Sequence, residues 1–236
     1  MTKECKHEPI TQVRAHLRRR LLINYRLDPE YASTLLPQDL RPQLVDGSAV
    51  AGVCLVGLER VSPMSNRFGG VRSENAAHRM AVEWDEHGET TQGVFIFERH
   101  SSSLPSVLLG GRAFPGVHRH ARFTTFDTDQ RHRVSMRSRD QRLDVDVQLT
   151  EEWQSSLFDS LQSASDFTRA GRIGRSRGHD QCTLEPVALT ASEWSMQSAE
   201  VREIRSTFFE SMPTGVATLD GALVMRDLPL TMTAVR

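Results

Sequence analysis

Residues 110–123, GGRAFPGVHRHARF, bring three arginines, two histidines, a Gly-Gly pair and an aromatic-proline step into fourteen positions. His118 and His120 are two apart, so on a strand both imidazoles point the same way and could share one metal ion. Two imidazoles are an incomplete ligand set, and no glutamate stands a few residues on to extend it. Arg122, Phe123 and Thr124 follow instead. A guanidinium on the same face repels a cation. His118 and His120 are therefore read as pocket or surface imidazoles, able to move protons near neutral pH. No metal and no cofactor is expected.

Other chemistries are limited by inventory. No Gly-x-Ser-x-Gly occurs, and Ser101-Ser102-Ser103 followed by Leu104-Pro105 reads as a loop. Cys5, Cys54 and Cys182 are far apart and odd in number, so they form neither a disulfide framework nor a zinc spacing. A reducing cytoplasm is the simplest setting. A Schiff base needs a lysine in a pocket. The only lysines are Lys3 and Lys6, in a tail over residues 1–12 that is expected to fray. Among carboxylates, Glu59, Glu74, Glu83 and Glu98 lie in or beside apolar strands. A buried one would have a raised pKa and could serve as acid or base.

The 236 residues suit a soluble globular chain, with 38% apolar and 25% charged side chains. A formal charge of −1 gives no field to draw nucleic acid or an acidic membrane. The longest apolar run, Ala49–Leu58, is far short of the roughly 20 residues a spanning helix needs. MTKECKHEP has no apolar core of a signal peptide.

The elements that must position these residues are mostly strands. Leu21–Tyr25 reads as a buried strand, followed by a short helix capped by Asp28 with Pro29 in its first turn and stopped before Pro37. Asp46-Gly47 turns into the strand Ser48–Leu58, and Met80–Trp84 and Gly93–Glu98 flank a turn at Asp85–Gly88. In Arg131–Arg139, His132, Val134 and Met136 alternate with arginines. In Leu143–Leu149, apolar residues alternate with Asp144 and Asp146. That alternation predicts a hairpin with Arg–Asp pairs on its solvated face. A helix is expected from Thr150-Glu151-Glu152 through Leu161, and a second over Glu200–Ser211. Ala170–Asp180 is expected as an exposed loop, and Leu219-Asp220-Gly221 as a hairpin turn. Many strands, few helices and no linker predict one mainly-β (α+β) domain over residues 13–236.

LLINYRLDPEYASTLLPQDLRP, then RSENAAHRMAVEW, then LLGGRAFPGVH together resemble the acetoacetate decarboxylase-like superfamily; the C-terminal half looks like its uncharacterised bacterial branch. The resemblance implies a single cone-shaped mixed β-barrel with a few peripheral helices, a pocket inside the barrel, and a homo-oligomer. In the decarboxylases an aromatic-Pro-Lys-Lys stretch supplies the Schiff-base lysine and its neighbour. Here Phe114-Pro115 is followed by Gly116 and Val117. The family's pocket arginine falls at Arg18, or at Arg20 if the register slips by two, and its pocket glutamate at Glu74. The resemblance therefore implies a small carboxylate or carbonyl ligand bound without Schiff-base chemistry. Arg18, Arg112, Phe114 and His120 are the expected binding residues. Glu74 and His118 are the acid and base of an alternative lyase, hydratase or isomerase. A second alternative is a metal-dependent barrel using His118 and His120.

Overall fold

The computed structural model describes residues 12–64, 70–109, 115–178, 180, 182–191 and 193–234. Lys3, Lys6, Cys5, Arg112 and Phe114 lie outside them. Strand β1 (Gln12–Leu27) opens the fold and is followed by helix α1 (Pro29–Thr34). Two short pairings, β2 (Arg41–Pro42) and β3 (Leu44–Val45), precede the long strands β4 (Ser48–Pro63), β5 (Val71–Glu86) and β6 (Glu89–Ser101). Helix α2 (Leu104–Leu109) and β7 (Arg119–His120) come next. A meander of β8 (Arg122–Asp127), β9 (Arg131–Arg137) and β10 (Arg142–Leu149) follows. Helix α3 (Leu161–Ala170), β11 (Ile173–Arg177), β12 (Leu184–Ala191), β13 (Gln197–Ser206), α4 (Thr207–Glu210) and β14 (Ala217–Ala234) complete the chain.

Seven strands close on themselves in the order β1-β4-β5-β6-β11-β12-β14, because β14 pairs back onto β1. Closure removes the open edges of a long sheet. The resulting fold is mainly β and barrel-like, as expected. Beyond β14 the sheet continues through β13, β10, β9 and β8. That arm folds over the outside of β1, β4 and β5. Leu21, Ile23, Val53, Leu55, Val134, Met136, Val145 and Val147 form the core between the two layers. Inside the ring a second core gathers Leu22, Cys54, Leu223 and Met225 with Leu157, Phe158 and Ala164, so α3 and the loop before it plug one end.

The Asp28 cap forms as expected: its carboxylate accepts from the Tyr31 amide at 2.8 Å. The Arg–Asp hairpin face also forms. Arg131 and Arg133 hold Asp146 at 2.6 and 2.7 Å, and Arg137 holds Asp144 at 2.8 Å. Four expectations are corrected. Residues 151–160 are irregular and the helix starts only after Ser160, because Ser155 and Ser156 bind Asp220 rather than joining a helix. Leu219-Asp220-Gly221 is no turn. The β1–β14 register passes from Gly221 to Leu219, leaving Asp220 as a bulge that clamps the Ser156 and Leu157 amides at 2.8 and 3.1 Å. Residues 197–206 form a strand. Its pairing with β10 skips Arg202, so Val201 and Ile204 reach the core three residues apart and imitate helical spacing. Ile173–Arg177 is a wall strand, parallel to β6 and antiparallel to β12, not a loop. Among the described residues no helix is long and apolar enough to cross a membrane.

Candidate ligand-binding site

A cavity of about 350 Å³ opens within the ring. That volume falls at the small end of ligand pockets. Aliphatic side chains from most of the ring line it: Val13 of β1, Leu58 of β4, Val71 of β5, Val94 of β6, Val187 of β12 and Leu230 of β14. Into this apolar wall project Arg20, Arg79, Arg99, Arg172, His100, His118 and Cys54. Among the described residues no aspartate or glutamate lines the cavity. Arg172 is exposed; the other three arginines are wholly or partly buried.

Two bulges aim these arginines. Along β1, Val13, Ala15 and Leu17 face the ring interior, so simple alternation would send Arg19 inward as well. The pairing with β4 passes from Leu17–Leu58 to Arg19–Gly57 and skips Arg18. The parity flips there, and Arg20 and Leu22 become the inward residues. On β6 the pairing passes from Glu98 to Ile96 and skips Phe97, which brings Arg99 onto the same face as Ile96. On β5 the inward set is Asn75, Ala77 and Arg79.

Arg79 is 5% exposed. Its Nη2 donates to the Asn24 side-chain oxygen at 3.1 Å, and its Nε has no partner among the described residues. Burial pulls its pKa from the ordinary arginine value down to about 10, so it stays cationic at neutral pH. Burial also brings Arg99 to about 10, with Glu185 acting in the opposite direction. Glu185 is not in the cavity wall, and its Oε2 is engaged by the Gly116 amide at 2.6 Å. The Nε and Nη2 of Arg99 are unpartnered among the described residues, as are the Nε and Nη1 of Arg20. The Arg99 guanidinium packs directly on Gly116, where a Cβ would stand 3.0 Å from its central carbon. Gly116 has φ +95°, a conformation that favours glycine. A guanidinium from β6 thus covers the position that the family resemblance assigns to a lysine.

His118 lines the cavity, and its Nδ1 lies 3.1 Å from the Gly116 carbonyl. With the proton on Nδ1, that ring nitrogen donates to the carbonyl and Nε2 is left as an acceptor. Burial and then Arg99 lower its pKa to about 4, so the imidazole is neutral at pH 7. His100 is fully buried, lines the same cavity, and has neither ring nitrogen paired among the described residues. Burial lowers its pKa too.

Glu74 and Arg18 stand elsewhere. Glu74 faces away from Asn75 and Arg79 and is not part of the cavity wall. It is gripped by Arg18 and by Arg19, whose Nη2 lies 2.8 Å from Oε2. Arg18 also holds Asp127 of β8 at 2.6 Å, and His132 of β9 lies 3.0 Å from the same carboxylate. Two arginines and two carboxylates balance, so this quartet ties the outer arm to the ring. Burial raises the Glu74 pKa, with Arg19 and Arg18 pulling it back. Burial also works on Asp127, but the His132 hydrogen bond, Arg19 and Arg18 prevail and hold it below the ordinary carboxylate value. Gly57, opposite both Arg19 and Glu74, leaves the room: a Cβ there would stand 2.5 Å from the Arg19 guanidinium. The structure therefore does not bring Glu74 and His118 together as an acid–base pair. His120 is exposed and does not line the cavity, so it does not share a site with His118 either. Among the described residues no group of three or more potential metal ligands gathers.

The family model DUF2071, described as an uncharacterized conserved protein, matches residues 14–221. The chain belongs to the DUF2071 family. No curated protein matches it. Solved structures do resemble this DUF2071 barrel. An acetoacetate decarboxylase from Legionella pneumophila superposes with a TM-score of 0.59 at 11% identity, over 99% of this chain and 90% of that one. An acetoacetate decarboxylase-like enzyme from Sphingomonas wittichii gives 0.58 at 14% identity, over 100% and 98%. The enduracididine biosynthesis enzyme MppR complexed with pyruvate gives 0.59 at 11% identity, over 98% and 90%. At these identities the likeness is one of fold alone.

Proposed function

We propose that the protein binds a small organic carboxylate, or a carbonyl compound bearing one, inside the barrel and without forming a Schiff base. The observation that carries this reading is Arg79, a buried guanidinium in a cavity wall with no Asp or Glu among the described residues. A buried charge left without a counter-charge is costly. A bound carboxylate supplies that counter-charge, and the guanidinium fork matches its two oxygens. The aliphatic wall suits the ligand's apolar body. MppR, similar in fold, is complexed with pyruvate, itself a small carboxylate. A guanidinium is no amine nucleophile. With Arg99 over Gly116 and both lysines within the first six residues, the cavity favours ion pairing over covalent capture. Neutral His118 and His100 are poised to accept or donate hydrogen bonds to a carbonyl beside the carboxylate.

Thermal-shift screening of small acids against their amides tests this. A true ligand at a hundred times its dissociation constant should stabilise the fold by about 2.7 kcal/mol. The amide, which lacks the charge, should do much less. Equal shifts from acid and amide, or none from any acid, would overturn the reading.

A further inference from the structure

The cavity holds more positive charge than one carboxylate neutralises, and that charge is divided between two anchored seats. Arg79 is fixed on the β1 side of its strand by Asn24, at 3.1 Å. Arg20, also rooted on β1, is the cation that opposes its charge. Arg99 is fixed on the other side, packed within 3.0 Å of a Cβ position on Gly116 and next to His118. The strand register separates the two roots. Arg79 faces Ile96 whereas Arg99 faces Ala77, three residues further along β6. Because Phe97 is skipped, the two rows are two residues apart on β5, roughly 7 Å of strand. Cys54, which faces Ala77 from β4, stands in the same row and lines the same cavity. One carboxylate forked on one guanidinium leaves the other without an anion in the cavity wall, since Glu185, whose charge reaches Arg99, lies outside that wall and is engaged by the Gly116 amide.

We propose that the ligand carries two anionic groups joined by a short apolar body, one group held by Arg79 and Arg20 and the other by Arg99. This rests on the anion-binding reading above and goes further by fixing the ligand's charge and polarity pattern. Two carboxylates, or a carboxylate and a phosphoryl group, present the same chemistry to these forks.

Titration calorimetry of the full chain with glutarate, pentanoate and 3-phosphonopropionate tests the proposal. The expected result is that a dianion binds at least tenfold tighter than pentanoate. The tighter of glutarate and 3-phosphonopropionate identifies the second group as carboxylate or phosphoryl. Arg99→Gln should bring glutarate and pentanoate to within about threefold of each other. A second readout needs no variant: bound dianion should slow N-ethylmaleimide alkylation of Cys54 at least fivefold while exposed Cys182 reacts unchanged. Pentanoate binding as tightly as glutarate overturns the two-seat proposal and leaves the anion-binding reading standing. A glutarate preference that survives Arg99→Gln overturns the assignment of the second seat. No binding of any of the three overturns both readings.

Discussion

Arg79 should cost the ligand-free protein stability, and removing its charge should recover it. Burial lowers its pKa from the ordinary arginine value to about 10. At about 1.36 kcal/mol per unit, keeping it charged costs about 3 kcal/mol. Its hydrogen bond to Asn24 returns about 1 kcal/mol. Arg79→Met keeps an unbranched apolar stem in the same space, so the net gain is roughly 2 kcal/mol. For a domain of this size each kcal/mol moves Tm by about 2–4 °C, so calorimetry should find a rise of about 4–8 °C. The pH dependence has a fixed sign. From about pH 10 up to the ordinary arginine value the unfolded arginine holds more proton than the folded one. Stability of the wild type from this group therefore rises with pH across that window, and the cost is fully present below pH 10. The variant should lose that pH dependence, together with carboxylate binding. A variant destabilised by more than about 1 kcal/mol would refute the reasoning, because Arg79 would then be a structural member with a compensating partner.

The Glu74 quartet should behave in the opposite way. Glu74→Gln leaves Arg18 and Arg19 facing Asp127 alone and should destabilise by about 3 kcal/mol in denaturant unfolding, while carboxylate affinity stays within threefold. Asp220→Ala removes the acceptor for Ser155, Ser156 and the Leu157 amide, so limited proteolysis should cut between residues 150 and 160 at least tenfold faster. Borohydride reduction in the presence of acetoacetate should add no mass to any peptide from residues 12–234, since that span holds no lysine; a stable adduct there would contradict the non-covalent reading.

Local chemistry was legible in the sequence; parity was not. Asp28-Pro29 and the Arg–Asp alternation of Arg131–Leu149 use signals that act over a few residues, and both form as expected. The fold class followed from strand count and the order of family landmarks. The pocket arginines were hidden by bulges. The skip at Arg18 turns both Arg18 and Arg19 outward to Glu74 and makes Arg20 the inward residue. The skip at Phe97 does the same service for Arg99. Arg79 left a weak trace: it shares its parity with Asn75, Ala77 and Ala81, so an arginine falls in a row of small inward residues. Asp220-Gly221 shows the same limit from the other side, because an Asp-Gly pair serves a bulge as readily as a turn.

On the proposed function, the arginines inside the ring take a carboxylate. Anomalous diffraction from crystals grown with 4-bromobenzoate measures this directly. The account predicts a bromine peak within the barrel and carboxylate oxygens about 2.7–2.9 Å from the guanidinium of Arg79 or Arg99. A bromine peak only at the outer surface, or a ring interior holding the acid with its carboxylate turned away from both arginines, would contradict it.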